Sequence, residues 1–303
     1  MDRLRSHKNM DSLQTISFRV CVNTDEIRTQ WYLTHIASKE YVNYLHQICK
    51  GLIKLNTVPH RFVDCLLVKE AIRIDGLSLI DVPKKDYEIC MSAVKSNGNS
   101  IEFVPDELKD YNLCMTAVKE SGSAIWFVPE SHQDRNLWLA AVATHGYSLW
   151  YVPFHMRDYE LCLAAVKSDG YALNLVPFEM RTRELCLIAV SSDGYALSLV
   201  PLELQDREMC TLAVKSCGFA LSFVPFELKD HEMCLAAVSL TGYSLRVVPI
   251  DRRNRQVCLA AVSSNGIALE FVPQELRDKE MCSIAIRTNY GAMKYVPDKL
   301  KYH

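Results

Sequence analysis

The spacing of the prolines constrains this chain more than any other feature of its sequence. Prolines stand at residues 59, 83, 105, 129, 153, 177, 201, 225, 249, 273 and 297, so nine of the ten intervals are 24 residues and the other is 22. Glycines keep the same rhythm from Gly76 to Gly266, seven residues before the next proline, and slip by one residue at Gly291. A period of this length indicates tandem repeats that stack as a solenoid or an array.

The first part of the repeat carries the signals of an α-helix. Counted from its proline as position 1, the repeat from Pro225 to Val248 reads PFELKDHEMCLAAVSLTGYSLRVV. Position 6 is Asp, Asn or Thr from the Pro105 repeat onward, and these residue types are favoured helix N-caps. The apolar positions 9, 10, 13 and 14 share one face of a helix. The glycine at position 18 predicts a left-handed residue that ends this helix.

The residues after the glycine predict a second, shorter helix, because their apolar positions 21 and 24 are three residues apart. A strand is the alternative, as in leucine-rich repeats of similar length, but the leucine-rich signature L-x-x-L-x-L-x-x-N is absent. A unit this small gains too little from burial to offset the entropy of ordering it, so neighbouring repeats must stabilise one another. The sequence therefore predicts an all-α fold: an α-solenoid of about ten 24-residue two-helix repeats, with residues 59–303 as one cooperative array.

Residues 1–58 precede the proline series and are expected to form an atypical N-terminal capping segment, which a solenoid needs. Part of it, YVNYLHQICKGLIKLNTVP, resembles a degenerate repeat. A helix is predicted from about Thr24 to Ile48, and ISFRVCVN before it is a candidate short strand. At the other end, the last repeat itself is expected to serve as the cap.

The composition narrows the function classes. Lys and Arg number 34 against 36 Asp and Glu, a net charge of −2, so no global field favours nucleic acid or an anionic membrane. No apolar stretch approaches the roughly 18 residues of a membrane helix, so we expect a soluble protein. Twelve cysteines fall short of a disulfide scaffold. They favour a reducing compartment, either the cytoplasm of the cell or that of a host into which the protein is delivered.

The cysteines share one position of the repeat. Position 10 holds Cys90, Cys114, Cys162, Cys186, Cys210, Cys234, Cys258 and Cys282. Equivalent residues of stacked helices lie about 8–10 Å apart, which is too far for a disulfide or for shared zinc ligation. These cysteines are therefore predicted to be small buried side chains. Cys217, at position 17, is expected to be more exposed.

No catalytic signature occurs in the sequence, which lacks G-x-S-x-G, G-x-x-x-x-G-K, H-E-x-x-H, C-x-x-C and G-x-G-x-x-G. The carboxylates recur in every repeat, as helix caps do. We therefore predict no catalytic residue, no cofactor and no metal ligand. The alternative is an enzyme or modifier with a small site in the irregular segment 126–159.

Residues 126–159 depart most from the shared pattern. Trp126 and Trp150 both occupy position 22, where they would project side by side, and Trp138 replaces the cysteine of position 10. Trp is enriched at binding hot spots, so Trp126 and Trp150 are predicted to bind a partner, with packing over a local groove as the alternative. The segment also contains His132, His145 and His155. They occupy three different positions of the repeat, which does not favour a zinc site.

Position 2 changes character along the chain. It is acidic in the Pro105 and Pro129 repeats, polar again from the Pro273 repeat on, and apolar between them. The five apolar occupants are Phe154, Phe178, Leu202, Phe226 and Ile250. Because acidic residues are tolerated at both ends, we expect this position near the surface, where an apolar stripe marks a partner surface. A hydrophobic staple onto the following helix is the alternative.

Two other columns run beside this stripe. Position 19 is aromatic from Tyr147 to Tyr243 and either stacks between repeats or contacts a ligand. Tyr147 and His155 complete the predicted partner-binding set. Positions 5 and 7 are mostly Arg or Lys, which predicts a solvated mixed-charge edge, with phosphate or nucleic-acid binding as the lesser alternative.

The segment V-P-F-E-L-K-D-H-E-M-C-L-A-A-V-S-L-T-G-Y-S-L resembles the repeats called domain of unknown function 4116. The shared pattern is an acidic cap, a helix ending in A-V-K-x-x-G and an A-L-x-x-x segment, and it covers about residues 60–300. The resemblance implies a protein of bacteria that live in eukaryotic hosts or of protists, often one that is translocated, and it brings no activity. We therefore predict a non-catalytic scaffold that binds a protein or peptide partner along an extended surface.

Overall fold

The computed structural model describes residues 39–60 and 63–301, in which every regular element is helical and none is a strand. Most repeats contain an α-helix of ten residues and a 3-10 helix of six, and a three-residue 3-10 helix follows the proline. The predicted all-α solenoid of tandem helix pairs is confirmed. The second helix of each pair is a 3-10 helix, as its three-residue apolar spacing allows. No helix among the described residues is long and apolar enough to cross a membrane.

The α-helices are Lys39–Cys49, Cys65–Ile74, Tyr87–Ser96, Tyr111–Glu120, Arg135–Thr144, Tyr159–Ser168, Arg183–Ser192, Arg207–Ser216, His231–Leu240, Arg255–Ser264, Lys279–Thr288 and Asp298–Lys301. The longer 3-10 helices are Gly76–Asp81, Gly98–Phe103, Gly122–Phe127, Gly146–Tyr151, Gly170–Leu175, Gly194–Leu199, Gly218–Phe223, Gly242–Val247, Gly266–Phe271 and Tyr290–Tyr295. The shorter ones are Leu55–Thr57, Asp106–Leu108, Glu130–His132, Phe154–Met156, Phe178–Met180, Leu202–Leu204, Phe226–Leu228, Ile250–Arg252 and Gln274–Leu276.

Contacts divide the chain into two units. The first holds the described residues up to Glu120 together with Phe127–His132, and the second holds Ser121–Trp126 together with the residues from Gln133 onward. That residues 59–303 form one cooperative array stays a prediction. The capping role of residues 1–58 does too, and of its helix only Lys39–Cys49 is described. The candidate strand and the start of that helix at Thr24 lie outside the described residues.

The core of each unit is built from the positions that the periodicity marks as apolar. In the Pro177 repeat these are Leu185, Cys186, Ala189 and Val190, all fully buried, and Leu197 of the 3-10 helix joins them. The helix starts where the sequence predicts. The Asp206 carboxylate accepts a hydrogen bond from the Met209 N–H at 2.9 Å, and equivalent caps begin the other helices. Helix starts and core faces are therefore as predicted.

The ends of the α-helices differ from the prediction. A positive φ occurs in the described residues only at Gly51, so the left-handed glycine predicted at position 18 is wrong. The α-helix ends instead at position 17, which has an extended backbone, as at Asp193 (φ −139°, ψ 111°). The Asp193 carboxylate then accepts from the Tyr195 N–H at 2.9 Å and caps the 3-10 helix that follows.

Glycine is required at position 18 because the next repeat approaches too closely for a side chain. A Cβ on Gly194 would lie 2.4 Å from the carbonyl oxygen of Ala213, at position 13 of the next repeat. The corresponding distances for the other contacts of this kind fall between 2.0 and 2.5 Å. In the last repeat Tyr290 takes position 18 and is 75% exposed. No further repeat could stack there in the same way, which explains the slip at Gly291.

The 22-residue interval removes one small element and leaves the helix pair intact. The Pro83 repeat has no three-residue 3-10 helix among its described residues, and Asp86 caps the helix Tyr87–Ser96 only three residues after the proline. The Pro105 repeat keeps its Asp106–Leu108 turn. The missing two residues are therefore absorbed in the loop that follows the proline.

The predicted burial of the position 10 cysteines is confirmed. All eight are buried, and Cys217 is only partly so. The Cys186 thiol donates to the Arg181 carbonyl oxygen at 3.7 Å, within its own repeat. Burial raises the pKa of Cys162 and Cys186 to about 11, because the thiolate is poorly solvated in the core.

We expect Gly194→Ala to lower the free energy of unfolding by about 1–3 kcal/mol, because the new methyl group would overlap a backbone oxygen that cannot move alone. The matched control is Gly291→Ala, whose nearest neighbours are side-chain atoms 3.0 and 3.2 Å away, so it should cost well under about 1 kcal/mol. Urea unfolding followed by circular dichroism measures both. Equal losses would contradict the close-approach explanation.

The cysteine column predicts a pattern of thiol reactivity. At pH 8, iodoacetamide should modify Cys65 and Cys217 in the native protein, because these thiols reach solvent. It should spare the eight position 10 thiols, whose burial both blocks access and suppresses the thiolate. Peptide mass spectrometry with and without urea tests this. Rapid native labelling at Cys162 or Cys186 would show that the repeats open readily.

Candidate functional site

Five apolar side chains project from the turns that follow consecutive prolines. We call Phe154, Phe178, Leu202, Phe226 and Ile250 the apolar column. Each begins a short 3-10 helix, and the turn closes when its carbonyl oxygen accepts from the position 5 N–H, as from Arg181 to Phe178 at 3.1 Å. The five side chains are 58% to 76% exposed. They therefore are not buried against the following helix, as a hydrophobic staple would be.

Position 5 holds these turns in place. The Arg181 Nε donates to the Val176 carbonyl at 3.1 Å, and its Nη1 donates to the Leu199 carbonyl in the next repeat at 2.8 Å. Arg157, Arg253 and Arg277 make the equivalent pair of bonds. The guanidinium thus fixes the turn against its own repeat and against its neighbour.

The same guanidinium groups lie beside the first two rings of the column. Arg157 is 5.6 Å from the centroid of the Phe154 ring, and Arg181 is 5.8 Å from that of Phe178. At this distance a cation is attracted to the ring face. Burial lowers the pKa of Arg157, because the charged group is held away from water against the protein. The apolar column therefore stands on a rigid, hydrogen-bonded base.

Position 7 forms a second link between repeats. Arg183 pairs with Asp206 at 2.8 Å and with Glu208 at 2.5 Å, which are positions 6 and 8 of the next repeat. Arg135, Arg207 and Arg255 pair with the equivalent carboxylates one repeat later. The Met209 N–H and the Arg183 guanidinium together lower the pKa of Asp206. Each arginine thus joins a helix cap of the next repeat.

Most cations of positions 5 and 7 are therefore already engaged. Those of position 5 donate to backbone carbonyls, and those of position 7 pair with carboxylates. Sequence reasoning missed both roles. The position 7 ladder leaves a signal in the sequence, since an arginine recurs with an Asp 23 residues later and a Glu 25 residues later. The carbonyl contacts of position 5 leave no such signal.

Carboxylates follow the apolar column at position 3. Glu179, Glu203 and Glu227 are exposed, and none has an ion-pair partner in the part of the chain that the structure describes. Asp251, next to Ile250, lies 3.7 Å from Arg252. The unpaired charge beside the column is therefore negative.

The predicted tryptophans lie on the surface. Trp126 is 65% exposed, and its ring meets Tyr151 of the next repeat edge-on, with the centroids 5.4 Å apart. Trp150 is equally exposed, and its carbonyl oxygen accepts from Arg157 Nη2 at 3.4 Å. Because Arg157 also lies beside Phe154, Trp150 joins the surface of the apolar column at its first member. His155, next in sequence to Phe154, is exposed as well.

The position 19 residues have mainly other neighbours. Phe219 and Tyr243 meet edge-on with centroids 6.2 Å apart, and Tyr243 also meets Phe271 at 5.1 Å, so these rings stack between repeats. Tyr147 lies near His145, and burial, followed by the nearby Asp169 charge, raises the pKa of Tyr147. The structure does not bring Tyr147 to the apolar column through any contact of its ring.

Trp138 is buried and fills the place of a column cysteine, leaving its Nε1 without a hydrogen-bond partner. It therefore adds core volume. His145 and His155 are exposed. Within residues 39–60 and 63–301, no group of three or more His, Cys, Asp or Glu residues could hold a metal ion.

The family of the chain follows from the same repeat. Five tandem matches to the domain of unknown function (DUF4116) cover residues 64–109, 110–157, 158–205, 206–251 and 254–301, each about two repeats long. No curated protein and no solved structure matches the chain. The repeated cap, helix and glycine turn that build the candidate surface are thus the features of one family, and the chain belongs to the DUF4116 family.

Proposed function

We propose that this chain is a non-catalytic scaffold that binds a protein or peptide partner along the apolar column. Tandem repeats in an all-helical fold suggest a scaffold. The observation that carries the proposal is that five consecutive repeats each expose one large apolar side chain at the same position. Exposed apolar patches of this extent are typical of partner surfaces.

The energetics favour such a surface. Covering one exposed Phe or Leu contributes about 1.5–3 kcal/mol, and the column offers this in five successive repeats. Its base is fixed by the position 5 bonds before any partner arrives. A preorganised surface loses little conformational entropy on binding. Trp150 and His155 would extend the surface at the Phe154 end, with Trp126 next to them.

The carboxylates of the repeat support a scaffold more than an enzyme. Those of position 6 cap helices, and the neighbouring position 7 arginines bind them. They are therefore committed to the fold in repeat after repeat, whereas catalysis normally needs one unrepeated constellation. The buried free thiols suit a reducing compartment.

The test is capture of partners by the tagged full chain and its variants. Phe178→Asp combined with Phe226→Asp should abolish capture of the partner, because two charges would interrupt the apolar column. Phe178→Leu combined with Phe226→Leu is the matched control and should retain capture, since Leu202 already occupies the column. Trp126→Ala with Trp150→Ala should weaken capture. Quantitative mass spectrometry of the captured proteins measures each effect.

All variants should unfold at the temperature of the parent, because position 2 is exposed and tolerates Asp in the Pro105 repeat. The proposal is wrong if the two Asp substitutions leave capture and unfolding temperature both unchanged.

A further inference from the structure

We infer that the occupant of the apolar column is a basic, apolar peptide segment in an extended conformation. This inference rests on the proposed function and specifies the partner. It comes from two features that the column combines: an uncompensated line of carboxylates and a fixed repeat of one apolar side chain per layer.

The charges beside the column are one-sided. In four of its five turns the apolar residue is followed directly by a carboxylate, and Glu179, Glu203 and Glu227 are exposed without an ion-pair partner among the described residues. The nearest arginine side chains at position 5 spend their donors on backbone carbonyls. A partner that covers the column must therefore bring positive charge to these carboxylates or bury them unpaired, which costs free energy.

The spacing favours an extended chain. Packed helices of successive repeats lie about 8–10 Å apart, so the column offers one apolar side chain about every 9 Å. A polyproline II segment rises 3.1 Å per residue and has three residues per turn, so every third side chain returns to the same side after about 9 Å. An apolar residue at every third position, with a Lys or Arg beside it, would match one layer per turn.

The other occupants fit the surface less well. A second copy of this column would place like carboxylates against one another, and an anionic membrane would be repelled by them. An acidic peptide would meet the same repulsion. The surface therefore discriminates by charge sign, which gives the experiment a direct readout.

The probe is a fluorescein-labelled peptide of five Leu-Lys-Ser triplets, titrated with the full chain and followed by fluorescence anisotropy. It should bind on the order of tenfold more tightly than the same peptide with Glu in place of Lys, and its affinity should fall as salt is raised. A peptide that forms an α-helix, with Leu at every seventh residue and equal charge, should bind more weakly. Equal affinity for the Lys and Glu peptides, or stronger binding of the helical one, would overturn the inference.

A set of variants assigns the effect to particular carboxylates. Glu179→Gln, Glu203→Gln and Glu227→Gln combined should weaken binding of the Lys peptide on the order of tenfold at low salt and flatten its salt dependence. The matched control combines Glu184→Gln, Glu208→Gln and Glu232→Gln, which removes the same charge from position 8 and should leave binding nearly unchanged. Similar losses in both triple variants would mean that net charge alone attracts the peptide, contrary to the inference.

The outcome separates this inference from the proposed function. If no peptide binds while capture from lysate still depends on Phe178 and Phe226, the scaffold stands and the basic partner is wrong. If neither peptide binding nor capture depends on the column, both are wrong. Binding to vesicles of anionic lipid with loss in the Asp variants would also reject a peptide occupant.

Discussion

The structure depends on the close approach of each repeat glycine to a carbonyl oxygen of the next repeat. At Gly194 the backbones approach so closely that no Cβ fits against Ala213. In the same contact the Gly194 N–H donates to Ser216 Oγ at 3.2 Å, and Gly242 does so to Ser264 at 3.1 Å. Because backbone atoms make the contact, its geometry does not depend on which side chains surround it. Every repeat is therefore placed on its neighbour in the same register, and equivalent side chains form columns.

The polar links between repeats act within that register. The position 7 arginines are about half exposed, and exposed ion pairs contribute at most about 1 kcal/mol each. Burial of the apolar helix face accounts for far more, since a single Leu contributes about 1.5–3 kcal/mol. The arginines at positions 5 and 7 therefore serve mainly to orient loops and helix starts that the core has already brought together. This division explains why position 5 can be Gln205, which also donates to two backbone carbonyls.

The sequence predicts whatever depends on period and local chemistry. The N-cap at Asp206 and the buried face of Leu185 and Cys186 follow from residue type and spacing alone. The role of Gly194 does not, because a periodic glycine can mean either a left-handed backbone or a close neighbour, and only the position of the next repeat distinguishes them. Tyr290 is the clue within the sequence, since a left-handed position would disfavour it and an unstacked surface does not. Likewise, nothing in the sequence shows that the donors of Arg181 point to backbone carbonyls.

The turn after the proline separates what the fold requires from what it leaves free. Asp106, Phe178 and Gln274 occupy the same place, and each accepts the same backbone hydrogen bond from position 5, at 3.1 to 3.2 Å. The turn therefore forms equally well with an acidic, an aromatic or an amide side chain. Since exposure of a large apolar group to water carries a cost in solubility, a run of five such groups has no explanation in folding. The requirement that keeps them apolar must lie outside the repeat itself, in what the surface contacts.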